Sequence, residues 1–89
     1  MTVQNLRIVN EKGLHARASA RFVEVVEDHD AAAKVSRDGM TVAGDSIMGL
    51  LMLAASRGTT IEVETSGPQA EALATALAAL VADRFGEDR

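Results

Sequence analysis

Residues 33–43, AKVSRDGMTVA, decide the fold that we predict for this 89-residue chain. Ala33 and Val35 alternate with polar neighbours, as side chains do along a strand with one buried face. Asp38-Gly39 is typical of a two-residue hairpin turn, because both positions can adopt a positive φ. Residues 40–43 would return as the partner strand, so this stretch predicts an antiparallel pair.

Alternating side chains predict two further strands, one near each end of the chain. Residues 2–10 place Leu6 and Ile8 on one face. Residues 59–65 alternate apolar and acidic side chains in the same way. Each strand therefore has one face to bury and one to expose.

Apolar residues spaced three and four apart predict three helices. The first covers residues 16–28. The second is capped by Ser46 or Asp45 and stopped by Gly58. The third follows residues 66–69, where Gln69 would close a capping box.

The resulting order, β-α-β-β-α-β-α, predicts a single α+β domain over residues 1–89. We expect a two-layer open-faced sandwich, with a four-stranded antiparallel sheet and three helices on one face. Residues 86–89 are expected to be a frayed tail. The other sheet face should be solvated, because it carries four charged side chains, those of Arg7, Lys34, Glu62 and Glu64.

Composition argues against several function classes. The chain has no cysteine, which excludes a disulfide framework and a thiolate metal site and fits a cytoplasmic protein. A net charge of −4 and an aromatic content of 2% argue against nucleic-acid binding. Residues 47–55, the longest nearly apolar run, are too short to span a membrane, and residues 1–9 lack the pattern of a signal peptide.

His15 is the strongest candidate for chemistry, because it stands where the first helix begins. The free amides of Ala16 and Arg17 and the positive end of the helix dipole would bind an anion beside the ring. The Arg17 guanidinium could pair with phosphate oxygens, and Gly13 would permit a tight turn. The pattern predicts a histidine that accepts a phosphoryl group covalently and releases it again.

The run Gly13-Leu14-His15-Ala16-Arg17-Ala18-Ser19 resembles the active-site signature of the HPr family, the histidine-containing phosphocarriers of the bacterial phosphotransferase system. The element order, the Ser46-Ile47-Met48 segment and Gly58 are also similar to that family, so the resemblance covers nearly the whole chain. It implies that His15 takes a phosphoryl group on Nδ1 from phospho-Enzyme I, with Arg17 assisting. The group would then pass to an EIIA-type acceptor domain.

The same resemblance implies a cytoplasmic monomer that needs no metal and no cofactor. It would transfer phosphoryl groups together with its partners rather than act as a free-standing enzyme. Two branches stay open, one that energises sugar uptake and one that serves nitrogen-related regulation. Ala18 stands where many relatives have proline, and because alanine also favours helix, function should survive.

Ser46 has three interpretations. Its residue type and position predict a cap for the second helix. The resemblance adds regulatory phosphorylation by an HPr kinase/phosphorylase, although Asp45 replaces the basic residue often found before that serine and would repel the phosphate. Residues 44–47 also resemble the attachment site of acyl carrier proteins, but those proteins are all-helical and the predicted sheet argues against them.

A hydrolytic enzyme is a further alternative, with His15, Asp45 and either Ser19 or Ser46 as a triad. A chain of 89 residues has little room for a water-excluding pocket, and neither serine lies in a glycine-rich elbow. His29 is interpreted as structural or solvated, because no cysteine or nearby histidine completes a metal-ligand set.

The second helix carries more apolar side chains than one buried face needs. Leu50 and Leu53 are expected in the core. The remainder should form a docking patch for partner proteins near the reactive histidine, and methionine suits such a surface because its side chain adapts. The expected docking patch consists of Ile47, Met48 and Leu51.

Overall fold

A computed structural model describes all 89 residues, and its elements follow the predicted order. The strands are β1 (Thr2–Arg7), β2 (Ala32–Arg37), β3 (Met40–Ala43) and β4 (Thr60–Ser66). The helices are α1 (Ala16–Glu27), α2 (Ile47–Met52) and α3 (Ala70–Ala82), and a 3-10 turn at Arg84–Gly86 follows α3. None of the helices combines the length and the hydropathy needed to cross a membrane.

The four strands form one antiparallel sheet in the order β1-β4-β2-β3. Along β4, Ile61 and Val63 are buried and Glu62 between them is exposed, as the alternation predicts. Of the 17 residues in the hydrophobic core, the three helices supply eight and the strands supply four, so the helices cover the buried face of the sheet. The predicted two-layer α+β architecture is confirmed.

The predicted hairpin is present at residues 37–40. Arg37 pairs with Met40, and the two residues between them, Asp38 and Gly39, have φ values of 51° and 82°. This is the two-residue turn with positive φ at both central positions that the Asp-Gly pair favours.

Two boundaries differ from the predictions. β1 ends at Arg7, and Ile8 continues beside the sheet through hydrogen bonds with Thr59 and Gly58. α2 ends at Met52, well before Gly58. The helix ends there because Ala54, two residues beyond Met52, adopts the left-handed conformation, with a φ of 50°.

The predicted capping box at Gln69 is wrong. Gln69 precedes α3, but its side chain makes no cap hydrogen bond. Its Oε1 instead accepts a hydrogen bond of 2.6 Å from the backbone amide of Asp30. Gln69 therefore ties the start of α3 to the loop that leads into β2.

The C-terminal tail is also not frayed as predicted. The Phe85 side chain, directly before it, is fully buried in the core. The backbone oxygen of Arg89 accepts a hydrogen bond of 3.0 Å from the amide of Glu11. The buried Phe85 side chain and the hydrogen bond between Glu11 and Arg89 together hold this segment against the loop that precedes α1.

Candidate functional site

The loop before α1 packs against the segment that follows α2. The amide of Leu14 donates a hydrogen bond of 2.8 Å to the carbonyl oxygen of Ala55. Gly13 adopts a φ of +66°, and a Cβ added there would lie 2.5 Å from that same oxygen. Only glycine satisfies both the conformation and the close approach, and this fixes the backbone that presents His15.

His15 is the N-cap of α1. Its backbone is extended, with φ −81° and ψ −175°, and its Nδ1 accepts a hydrogen bond of 3.2 Å from the Arg17 amide. The first helical hydrogen bond runs from Ser19 N to the His15 carbonyl oxygen at 2.8 Å. The ring therefore lies over the positive end of the helix with Nδ1 facing the amides.

The amides of Ala16 and Ala18 donate to no backbone carbonyl. Together with the Arg17 amide, they form the group of donors that every helix leaves without intrahelical partners at its first turn. A phosphoryl group on Nδ1 would find these donors beside it, as the sequence predicts for Ala16 and Arg17.

The opposite ring nitrogen contacts a carboxylate that sequence reasoning missed. His15 Nε2 forms a hydrogen bond with Glu87 Oε2, and Asn10 Nδ2 donates to Glu87 Oε1 at 3.0 Å. The His15 and Glu87 side chains are 26% and 14% exposed, so the pair is half-buried. Phe85 and Gly86 were the available signal, since an apolar anchor and a flexible residue just beyond a helix can return the chain to the core.

Burial alone would raise the pKa of Glu87, but its neighbours outweigh that effect. The hydrogen bond from Asn10, the hydrogen bond and charge of His15, and the charge of Lys12 together hold the pKa of this carboxyl below its ordinary value. Glu87 is therefore ionised at neutral pH.

A cavity of about 410 Å³ opens beside this pair and has no hydrophobic side chain in its lining. Arg17, which is exposed, contributes one of its cationic side chains. Three carboxylates, those of Glu11, Glu87 and Asp88, line the same cavity, so its cationic and acidic side chains are almost balanced in number. Its four cationic residues are Lys12, Arg17, Arg21 and Arg89.

The triad hypothesis does not fit this geometry. Ser19 is buried and its Oγ donates to the Leu14 carbonyl oxygen at 3.4 Å, while Ser46 Oγ accepts from the Gly49 amide at 3.0 Å. Neither serine hydroxyl hydrogen-bonds to the His15 ring, whose contacts are Glu87 and the Arg17 amide. Ser46 is instead the predicted N-cap of α2, next to an exposed Asp45. The sheet likewise rules out the all-helical acyl carrier fold.

His29 has a structural contact, as predicted. Its Nδ1 forms a hydrogen bond of 2.7 Å with the carbonyl oxygen of Val25, one turn earlier in α1. Nowhere in the chain do three or more His, Cys, Asp or Glu side chains gather closely enough to hold a metal ion.

α2 divides its apolar side chains between the core and solvent. Leu50 and Leu53 are buried, as predicted. Ile47 is 40% exposed, Met48 is 71% exposed and Leu51 is half-buried. Met52, which was not predicted to be part of the docking patch, is 65% exposed and extends the apolar surface.

Comparisons with known proteins agree with this geometry. A family model described as "PTS HPr component phosphorylation site" matches residues 2–83. Phosphocarrier protein HPr of Cupriavidus necator is 45% identical over 87 residues, which cover 98% of each chain. Phosphocarrier protein NPr of Escherichia coli is 39% identical over 90 residues, covering 99% of this chain and all of the relative. The crystal structure of HPr-C-His from Thermoanaerobacter tengcongensis superposes with a TM-score of 0.94 at 32% identity, with full coverage of both chains.

Proposed function

The chain belongs to the HPr family of phosphocarriers of the bacterial phosphotransferase system, and from this premise we propose that His15 is the residue that carries the phosphoryl group. The observation that carries the proposal is the position of Nδ1, which faces the open amides at the start of α1 with Arg17 beside it. Phospho-Enzyme I is the proposed donor and an EIIA-type domain the proposed acceptor.

In the proposed reaction, the Nδ1 lone pair attacks the phosphorus atom of the phosphorylated donor. The new Nδ1–P bond forms as the bond to the donor's nitrogen breaks, and that bonding pair returns to the donor. The amides of Ala16, Arg17 and Ala18 then turn to the phosphoryl oxygens, and the Arg17 guanidinium can pair with them. The Nδ1–P bond breaks in turn when a nucleophile of the acceptor attacks.

Labelling tests this assignment. The chain is incubated with Enzyme I and phosphoenolpyruvate carrying a labelled phosphoryl group. We expect one acid-labile label per chain in the wild type, none in His15→Gln, and an unchanged label in His29→Gln, the matched control. Retention of the label in His15→Gln would contradict the proposal.

The nitrogen-related branch is a second candidate, because the relatives include both an HPr and an NPr at similar identity. The two branches differ in the donor and the acceptor that they use. Rates of phosphoryl acceptance from the Enzyme I of each branch, measured on the same preparation, would distinguish them. The branch of this chain is the one whose donor phosphorylates it faster.

For partner docking, we propose the surface of α2 around Ile47, Met48 and Leu51. α2 packs against α1, the helix that His15 caps, so a partner could bury apolar area on α2 while its own reactive group approaches the ring. Ser46, at the edge of this surface, is the proposed site of regulatory phosphorylation. A phosphate there would place a charge of about −1.5 to −2 beside apolar side chains that a partner must desolvate.

We propose further that residues 1–89 act as one domain and that the monomer is the active form. The proposed location is the cytoplasm, where phosphoenolpyruvate supplies the donor.

A further inference from the structure

The chain folds back onto His15 after α3. Arg84, Phe85 and Gly86 adopt φ values of 56°, 55° and 79°, which reverse the chain direction. Phe85 is fully buried. The next residue, Glu87, is thereby placed against a ring that lies 72 residues away in the sequence. The turn and the buried Phe85 side chain together bring this carboxylate to His15.

The contacts of His15 fix the position of its proton. A backbone amide can only donate, so the hydrogen bond from the Arg17 amide requires an unprotonated Nδ1. An ionised carboxylate can only accept, so the contact with Glu87 requires a proton on Nε2. The neutral Nε2–H tautomer satisfies both contacts, and the Nδ1–H tautomer satisfies neither.

Glu87 is itself held in place by a buried amide. Asn10 is fully buried, and its Nδ2 donates both to the Gly13 carbonyl oxygen at 2.8 Å and to Glu87 Oε1 at 3.0 Å. The carboxylate therefore bridges the loop before α1 and the ring. A carboxylate oriented in this way selects one tautomer of its histidine partner.

Resting on the proposed function, we propose that Glu87 is a positioning residue for phosphoryl transfer, which keeps the proton of His15 on Nε2 so that Nδ1 presents its lone pair. Asn10 orients Glu87. This role requires the C-terminal segment to be ordered, because a frayed tail would leave the Glu87 side chain in solvent.

The proton does not move during the proposed step. Attack through Nδ1 forms the N–P bond and leaves Nε2 protonated, so the ring gains positive charge, which the Glu87 carboxylate balances. When the phosphoryl group leaves, the N–P bonding pair returns to Nδ1. The ring then departs as neutral imidazole with its proton still on Nε2, and no imidazolate is formed.

Glu87→Gln tests the proposal by removing the charge while keeping the size of the side chain. Asp88→Asn is the matched control, since it removes a charge from the same segment and the Asp88 carboxylate makes no hydrogen bond or ion pair. Two quantities are measured on each variant. One is the ¹⁵N chemical shifts of the His15 ring at a pH where the ring is neutral, and the other is the rate of phosphoryl acceptance from phospho-Enzyme I.

In the wild type, Nε2 should have the shift of a protonated nitrogen and Nδ1 that of an unprotonated one. In Glu87→Gln, the two shifts should move towards each other. The rate should fall on the order of tenfold, which is the usual size of the loss when a carboxylate that orients a functional histidine is removed. Asp88→Asn should change neither. Unchanged ring shifts, a rate within about twofold of wild type, or an equal effect of Asp88→Asn would each overturn the proposal.

The two proposals fail in different ways. A wild-type chain that takes no label on His15 would remove the proposed function, and the role of Glu87 in transfer with it. A wild-type chain that is labelled, with Glu87→Gln labelled equally fast, would leave the phosphocarrier function standing and remove only the role of Glu87.

Discussion

Gly13 lies directly against the carbonyl oxygen of Ala55, close enough that an added Cβ would be 2.5 Å from it. This contact sets the loop that presents His15. We expect Gly13→Ala to lower the free energy of unfolding by about 3 kcal/mol, because the left-handed conformation costs about 1–2 kcal/mol and the forced shift of the backbone costs a similar amount. Urea denaturation measures the loss.

Gly58→Ala is the control for the clash in Gly13→Ala. Gly58 also has a positive φ, +88°, but a Cβ there would meet nothing within 4 Å. This variant should lose only the conformational part, about 1–2 kcal/mol. Equal losses in the two variants would show that the contact with Ala55 contributes nothing.

Features that depend on neighbouring residues could be predicted from the sequence. The Asp38-Gly39 turn and the Ser46 cap are local, since each is determined within four residues. Gly13, the open amides and Arg17 lie within residues 13–19, so the motif already contains these parts of the site around His15. Periodicity then gives the strands and helices, because each element buries one face.

Features that depend on distant partners could not be predicted. Gln69 has the spacing of a capping residue, yet its side chain bonds to Asp30, which lies 39 residues away. Glu87 meets Asn10 across 77 residues. Phe85 and Gly86 indicate that the chain returns to the core, but they do not indicate which residues Glu87 contacts. The position of Glu87 depends on a turn in which Phe85 has a positive φ, and bulky residues rarely adopt a positive φ.

Ser46 caps α2 through its Oγ, which accepts from the Gly49 amide at 3.0 Å. Ser46→Ala removes this acceptor and should lower the free energy of unfolding by about 1 kcal/mol. Ser46→Asp keeps an acceptor and adds a negative charge at the helix start, so its loss should be smaller. Thermal or urea denaturation compares the two, and an equal loss in both variants would contradict the cap.

Met48 is the most exposed side chain of the proposed docking patch. Met48→Asp should reduce the rate of phosphoryl acceptance from Enzyme I on the order of tenfold, because a charge would be desolvated when the partner binds. Stability should stay within about 0.5 kcal/mol, since the side chain is 71% exposed.

Met40→Asp provides the comparison for Met48→Asp, because Met40 is also exposed but lies at the β2–β3 turn. It should leave the acceptance rate unchanged. If both substitutions slow acceptance equally, added charge rather than docking through α2 is responsible.

Glu87 should make the stability of the chain depend on pH. Its pKa is lowered in the folded state, so its contribution is fully present above the ordinary pKa of glutamate, about 4.3, and is lost as the pH falls through the lower folded value. Glu87→Gln should therefore be less stable than wild type by about 1 kcal/mol at pH 5, and this difference should shrink as the pH falls below the ordinary value. Urea denaturation across that range measures it, with Asp88→Asn as the variant in which we expect no such trend. A difference that stays constant from pH 5 to pH 2 would mean that the ionised carboxylate does not stabilise the fold.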